Sequence, residues 1–241
     1  MKNWKKILLT LLFIFSISFF NSFLKAQKYD FNTPLSNFYK INLDSISEDA
    51  KIETLYNQLD LKKKGLTFKA FEYAIKGYQY LDKKGRLQNN SVLTIVDLDQ
   101  PSYNKRMYVI DMDKKILLFN TWSAHGRGTG DAYAKNFSNV ANSHATSLGM
   151  YITKETYTGN NGFSLRLIGL EPSNNNALDR AIVVHGAPYV SQSSIKAMGF
   201  IGRSWGCPAV SKEMCKPVIN TIKGGSLMLL YHRTYKPSLK L

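Results

Sequence analysis

The sequence predicts an α+β domain that is mainly β, preceded by a helical pair, and three observations predict it. Two apolar stripes at helical spacing lie before residue 86. Short β-rich runs bounded by turn residues dominate from Val92 onward, and no internal repeat or low-complexity linker interrupts them. At 241 residues the chain can form one large domain or two small ones. Its 44% hydrophobic and 20% charged residues are ordinary globular values and argue against a disordered, collagen-like or polytopic membrane protein.

Lys2, Lys5 and Lys6 precede an uncharged apolar run from Ile7 to Phe20, followed by Asn21 and Ser22. This is the layout of a secretory signal peptide over residues 1–26, cut after Ala26. An uncleaved anchor is the alternative, because a spanning helix needs about 20 residues. No cysteine follows the run, so a lipoprotein anchor is ruled out. The formal charge is +15; losing residues 1–26 removes four lysines and no acids, which leaves 28 basic against 17 acidic residues, or +11. An exported cation meets anionic envelope polymers rather than nucleic acid, and no membrane span is expected after cleavage.

Residues 27–86 read as an N-terminal arm and helical extension. Gln27 to Asn42 shows no periodicity. Asp44, Ser45 and Ser47 are cap-type residues ahead of Ile52, Leu55, Tyr56 and Leu59, which share one helix face, so a helix is predicted over about 46–61. Lys62 to Gly65 ends it, with the lysine run placed as a helix C-terminus favoured by the macrodipole. Phe68, Phe71, Ile75, Tyr78 and Leu81 form a second stripe, closed by Lys83, Lys84 and Gly85. The two helices should pair.

Residues 87–241 are predicted to form one mainly β domain. Strands are expected at Val92–Leu98, Met107–Asp111, Ile116–Trp122, Ser164–Leu170, Ala181–Val184 and Ser226–Tyr231, the second and third as a hairpin. A helix is expected from about Ser211 to Lys223 despite Pro217.

Two strand-to-loop junctions carry chemistry, since backbone there is exposed yet held by a sheet. In Ala181-Ile-Val-Val-His-Gly-Ala-Pro-Tyr189 an apolar run delivers His185 to a turn. In Gly202-Arg-Ser-Trp-Gly-Cys-Pro-Ala-Val210, Cys207 sits between a glycine and a proline just before a helix. An imidazole or a helix N-terminus can stabilise a thiolate, and amides around Gly206 and Cys207 could form an oxyanion site. Plainer readings stand beside these: a structural histidine, a small buried cysteine, or a Cys207–Cys215 disulfide in an exported protein. His125 and His144 lack the spacing that fixes two zinc ligands on one element. The glycines at 126, 128 and 130 lack the phosphate-loop pattern and read as a mobile cleft-edge loop. No metal or cofactor is expected.

His-Gly-Ala-Pro followed about twenty residues later by Ser-x-Gly-Cys resembles the signature of the L,D-transpeptidase (YkuD-like) catalytic domain. Ser164-Leu-Arg-Leu-Ile-Gly-Leu-Glu171, Arg180-Ala-Ile-Val-Val-His-Gly186, Gly202-Arg-Ser-Trp-Gly-Cys-Pro208 and Ile222-Lys-Gly-Gly-Ser226 are similar to the murein L,D-transpeptidase branch of Gram-negative bacteria. The resemblance spans roughly Leu93 to His232. It implies a β-sandwich-like fold, location in the periplasm or cell envelope, and a cysteine that forms an acyl-thioester with a peptidoglycan stem peptide, resolved by a second stem peptide, another amine or water. Carried over, Cys207 is the nucleophile, His185 its base, and the Gly186 carbonyl orients the imidazole, while Ser204 and Gly206 shape the turn. His125 and Ser147 match segments near the site and are expected substrate contacts. Arg203, Trp205 and Tyr189 join them, Arg203 as the nearest cation for a substrate carboxylate. Three departures stand out. Trp205 replaces the second motif histidine, the gap from His185 to Cys207 is long, and Pro208 stands where the family usually has Asn or Arg. The alternatives are an L,D-carboxypeptidase using the same dyad and a non-catalytic wall-binding protein.

Overall fold

The computed structural model describes residues 47–239; the expected leader, its cleavage point and the arm through Asn42 lie outside them. Helix α1 (Glu48–Gln58) buries Ile52 and Tyr56. It stops short of the expected end because Asp60 takes a left-handed φ of 53°, and residues 59–65 turn back with Leu59 and Leu61 buried. The lysines at 62–64 lie exposed on that turn. Helix α2 (Phe68–Lys83) opens where the Thr67 side chain accepts the Ala70 N–H, and buries Ala70, Phe71, Ala74, Ile75 and Leu81. Tyr56 packs its ring 5.5 Å from Phe71 and donates its hydroxyl to the Leu66 carbonyl, which pairs the two helices.

The strands are β1 (Val92–Asp97), β2 (Met107–Asp111), β3 (Ile116–Thr121), β4 (Gly149–Gly159), β5 (Gly162–Gly169), β6 (Val183–His185) and β7 (Leu227–Tyr231). They form a single seven-stranded sheet in the order β3-β2-β1-β7-β4-β5-β6. Among the described strands only the β1–β7 pair is parallel, and β2 and β3 form the expected antiparallel hairpin. The mainly β α+β class therefore stands, with a helical pair at the N-terminal end. Helix α2 lies against β1 and β7, and Gly77 leaves room there for Met150 of β4, whose Cε would sit 2.3 Å from an added Cβ. The described residues from Asp49 onward form one compact unit.

A strand and a short α-helix were not anticipated. β4 buries Gly149, Met150, Tyr151 and Thr153, but its second half is mostly polar and half-exposed, so period-2 alternation disappears where the β4–β5 hairpin projects into solvent. The short helix α3 (Gln192–Met198) buries no residue fully. Its caps define it instead: the Ser191 side chain accepts the Ser194 N–H, and left-handed Gly199 ends it. Helix α4 (Lys212–Ile222) starts at Ser211, tolerates Pro217, and buries Cys215, Val218, Ile219 and Ile222.

Candidate active site

β6 pairs with β5 along one edge, Ser164 opposite His185. Its other edge receives residues 207–210. The Val210 N–H donates to the His185 carbonyl at 2.9 Å, and the Ala187 N–H to the Val210 carbonyl at 2.8 Å. One step back along the strand, the Val183 N–H donates to Cys207 Sγ at 3.5 Å. A sulfur thus occupies a position where a ladder carbonyl would normally accept. This edge brings His185 and Cys207 to the same cavity, of about 460 Å³.

His185 is buried, at 4% exposure. Its Nδ1 lies 3.2 Å from the Gly186 carbonyl, which can only accept, so the proton sits on Nδ1 and Nε2 keeps its lone pair. Burial pushes the imidazole pKa down, opposed by the bond to Gly186. The Cys207 thiol donates weakly to the Ala181 carbonyl at 3.7 Å. Burial pushes its pKa up, while the Val183 N–H and Arg180 pull it down. Both shifts favour a resting pair of neutral imidazole and neutral thiol. Among the described residues no hydrogen bond joins the two side chains. Cys207 and Cys215 are both free thiols; Cys215 donates to the Phe163 carbonyl at 3.2 Å, so no bridge ties them.

Ser204 closes the turn before the cysteine. Its hydroxyl donates to the Cys207 carbonyl at 2.7 Å and accepts the Gly206 N–H at 3.1 Å. The Gly206 amide is therefore committed to the turn, the second of the two places expected for it. Gly206 has φ +121°, and an added Cβ would lie 2.8 Å from the Ala145 carbonyl. Gly206→Ala is expected to cost about 1–3 kcal/mol for the strained backbone, read as a lowered denaturation midpoint. An unchanged midpoint would mean that the turn is not held as described.

Tyr189, Arg203 and Trp205 line the cavity with the two central residues. Burial, with a lesser contribution from Cys207, pushes the Tyr189 hydroxyl up to about 12. Arg203 forms an ion pair with Asp131, so in this structure its charge already has a partner. Trp205 is 65% exposed and stacks on His144, ring centroids 4.5 Å apart. The residues that lengthen the gap between His185 and Cys207 fold as α3 over a small apolar cluster of Ala124, Ala187, Val190, Ile201 and Ala209.

His125 and Ser147, expected as substrate contacts, lie in the interior. Neither lines the cavity, and each is 1% exposed. Arg106 donates to His125 Nδ1 at 2.8 Å, so Nε2 carries the proton and donates to the Gly130 carbonyl at 3.1 Å. Burial and the neighbouring Arg106 drive the His125 pKa down to about 3. Ser147 accepts from Arg180. The glycine-rich loop is likewise anchored rather than open: Gly126 and Gly128 pack against the carbonyls of His144 and Ser143, too close for a Cβ, and the Gly126 N–H donates to Thr146 Oγ1.

Sequence reasoning missed Arg180, Ala181, Asn160 and Asn161 as cavity residues. Gly159-Asn160-Asn161-Gly162 is a turn signal, but only the β4–β5 hairpin carries its tip to the cavity. Arg180 immediately before a buried apolar run was the available signal.

A family profile described as the L,D-transpeptidase catalytic domain matches residues 62–231, well over half of the 241 residues. The chain belongs to the L,D-transpeptidase catalytic domain family. The matched region begins before the expected boundary at residue 87 and takes in α2. Among solved structures, the chain is similar to an L,D-transpeptidase from Mycobacterium smegmatis, with 14% identity, a TM-score of 0.37 and 59% of each chain covered. It is also similar to one from Mycobacterium tuberculosis H37Rv, with 15% identity, a TM-score of 0.36, and 59% of this chain and 58% of that one covered. The chain thus spans less than two thirds of the length of these L,D-transpeptidase structures. No curated protein matches it.

Proposed function

We propose that this protein is an exported peptidoglycan L,D-transpeptidase that works through an acyl-thioester on Cys207, with His185 as general base. The observation that carries the proposal is the cavity that His185 and Cys207 share within a chain of this family. A neutral imidazole with a free Nε2 is the form a general base needs, and the burial of both groups supports that resting state.

In the first half-reaction Nε2 takes the thiol proton as Sγ attacks the carbonyl of the third residue of a stem tetrapeptide. The tetrahedral oxyanion collapses, the peptide C–N bond breaks, and the imidazolium returns its proton to the departing D-alanine amine. The Cys207 amide, for which no hydrogen bond is found among the described residues, serves as an oxyanion donor in place of the Gly206 amide. In the second half-reaction an acceptor amine attacks the thioester, loses its proton to Nε2, and expels the thiolate. Arg203 receives a substrate carboxylate by exchanging it for Asp131, and Trp205 and Tyr189 form walls. The leader at residues 1–26 sends the enzyme to the periplasm or envelope of a Gram-negative bacterium, where donor and acceptor stem peptides reside.

The test is to incubate purified protein with stem tetrapeptide and with a carbapenem. D-alanine release and one covalent adduct mapped to Cys207 are expected. Release without a new cross-link under every acceptor would reassign it as an L,D-carboxypeptidase, and neither release nor adduct would leave the wall-binding reading.

A further inference from the structure

Arg180 lines the same cavity as Cys207, and its bonding is unusual for a charged side chain. Nη1 donates to the Ser138 carbonyl at 2.9 Å and Ser147 Oγ at 2.8 Å. Nη2 donates to Ser143 Oγ at 3.3 Å and the Ala145 carbonyl at 2.7 Å. All four acceptors are neutral, and no ion pair to Arg180 is found among the described residues. The charge is thus rigidly placed and lacks a counterion, whereas the other cavity arginine, Arg203, is paired with Asp131.

The backbone beside that charge holds the nucleophile. Ala181 takes a left-handed φ of 53°, uncommon for a residue with a side chain, and its carbonyl receives the Cys207 thiol. On the other side, Arg180 Nη2 would sit 3.3 Å from a Cβ on Gly206, the residue before Cys207. The guanidinium therefore backs the turn that carries the sulfur.

We propose that Arg180 is an electrostatic positioning residue for Cys207: its uncompensated charge stabilises the thiolate and the oxyanion that follows. With all four terminal N–H donors committed to the 138–147 segment, it acts through its field and through that loop rather than by gripping substrate. Bringing a negative charge to a desolvated site is where a fixed cation matters most. The other titratable or charged groups facing this sulfur are His185, Tyr189 and Arg203, with Tyr151 behind Arg180. Only the arginines carry a positive charge in the resting state.

The proposal rests on Cys207 being the nucleophile, and the test separates the two claims. Iodoacetamide alkylation of Cys207 is followed by peptide mapping across pH 5–11, which needs no transpeptidation. Arg180→Gln is expected to slow alkylation about tenfold at pH 8, equivalent to about one unit of thiol pKa. The limiting rate at high pH should stay within about threefold, since the thiolate itself is the reactive species. Arg180→Lys should restore most of the pH 8 rate. Ser147→Ala, which removes one hydrogen bond and leaves the charge, should leave the profile in place, and it remains informative if Arg180→Gln fails to fold. A reactive Cys207 whose profile is unmoved by Arg180→Gln, or moved as far by Ser147→Ala, overturns the proposal alone. A Cys207 inert in the wild type overturns it together with the nucleophile assignment.

Discussion

Cys207→Ala is expected to abolish covalent adducts with stem tetrapeptide and with carbapenem, with no residual adduct at any other residue. The only other thiol is Cys215, which packs beneath the His185–Gly186 turn: an added Cβ on Gly186 would meet Cys215 Cβ at 2.8 Å. Cys215 does not line the cavity and its thiol is engaged with the Phe163 carbonyl, so it offers no substitute nucleophile. The substitution has a structural cost that can be separated from the chemical one. Sγ is the acceptor for the buried Val183 N–H, and removing it leaves that donor unpaired, at a cost of about 1–3 kcal/mol. Each kcal/mol lowers the melting temperature by about 2–4 °C in a domain of this size, so the variant should stay folded at 25 °C and still co-sediment with purified peptidoglycan. Intact-mass measurement after carbapenem exposure is decisive. An adduct surviving in Cys207→Ala would move the nucleophile elsewhere and sink the assignment.

What the sequence disclosed about this site, and what it hid, follows from how local each feature is. β2 was legible residue for residue because Met107–Asp111 is a short β-rich run bounded by polar turns. The end of α1 was not, since left-handed Asp60 turns the chain back there while the apolar pattern continues through Leu59 and Leu61. At the site, the strand end at His185 and the Gly-Cys-Pro turn are local signals. The hidden part is long-range. Ser147 reads as a polar loop residue and His125 as a reactive one until the fold buries both, with Arg180 bonded to the first and Arg106 to the second. Arg180 opens the Arg180–Gly186 block, but that block gives it no role; its meaning comes from the neutral acceptors gathered from residues 138–147. Charge without a partner is a property of the folded chain, which a sequence pattern cannot express.

His185→Ala should differ from Cys207→Ala in kind, because the nucleophile remains and only its deprotonation fails. Burial holds the Cys207 thiol above its usual pKa, so the spontaneous thiolate fraction near pH 7 is small and the base carries much of the rate. Acylation by stem tetrapeptide is expected to fall about 10²–10⁴-fold, the usual effect of removing a positioned general base. The pH profiles should then diverge. In the wild type the imidazole pKa lies below its ordinary value of about 6.5, so Nε2 stays unprotonated and the rate should hold at pH 6.5, falling only below it. The same depressed pKa makes the unfolded state bind the extra proton first, so His185 subtracts stability as pH falls from about 6.5 through its folded value, and none above that window. In the variant no imidazole limb remains, and the rate should climb about tenfold per pH unit until the raised thiol pKa is reached, because the thiolate alone attacks. The deficit against the wild type should therefore shrink steadily between pH 7 and pH 10. Stopped-assay acylation rates across pH 5–10 for both proteins would measure this, and a deficit that stays constant with pH would show that His185 supports the fold of the site rather than removing the proton.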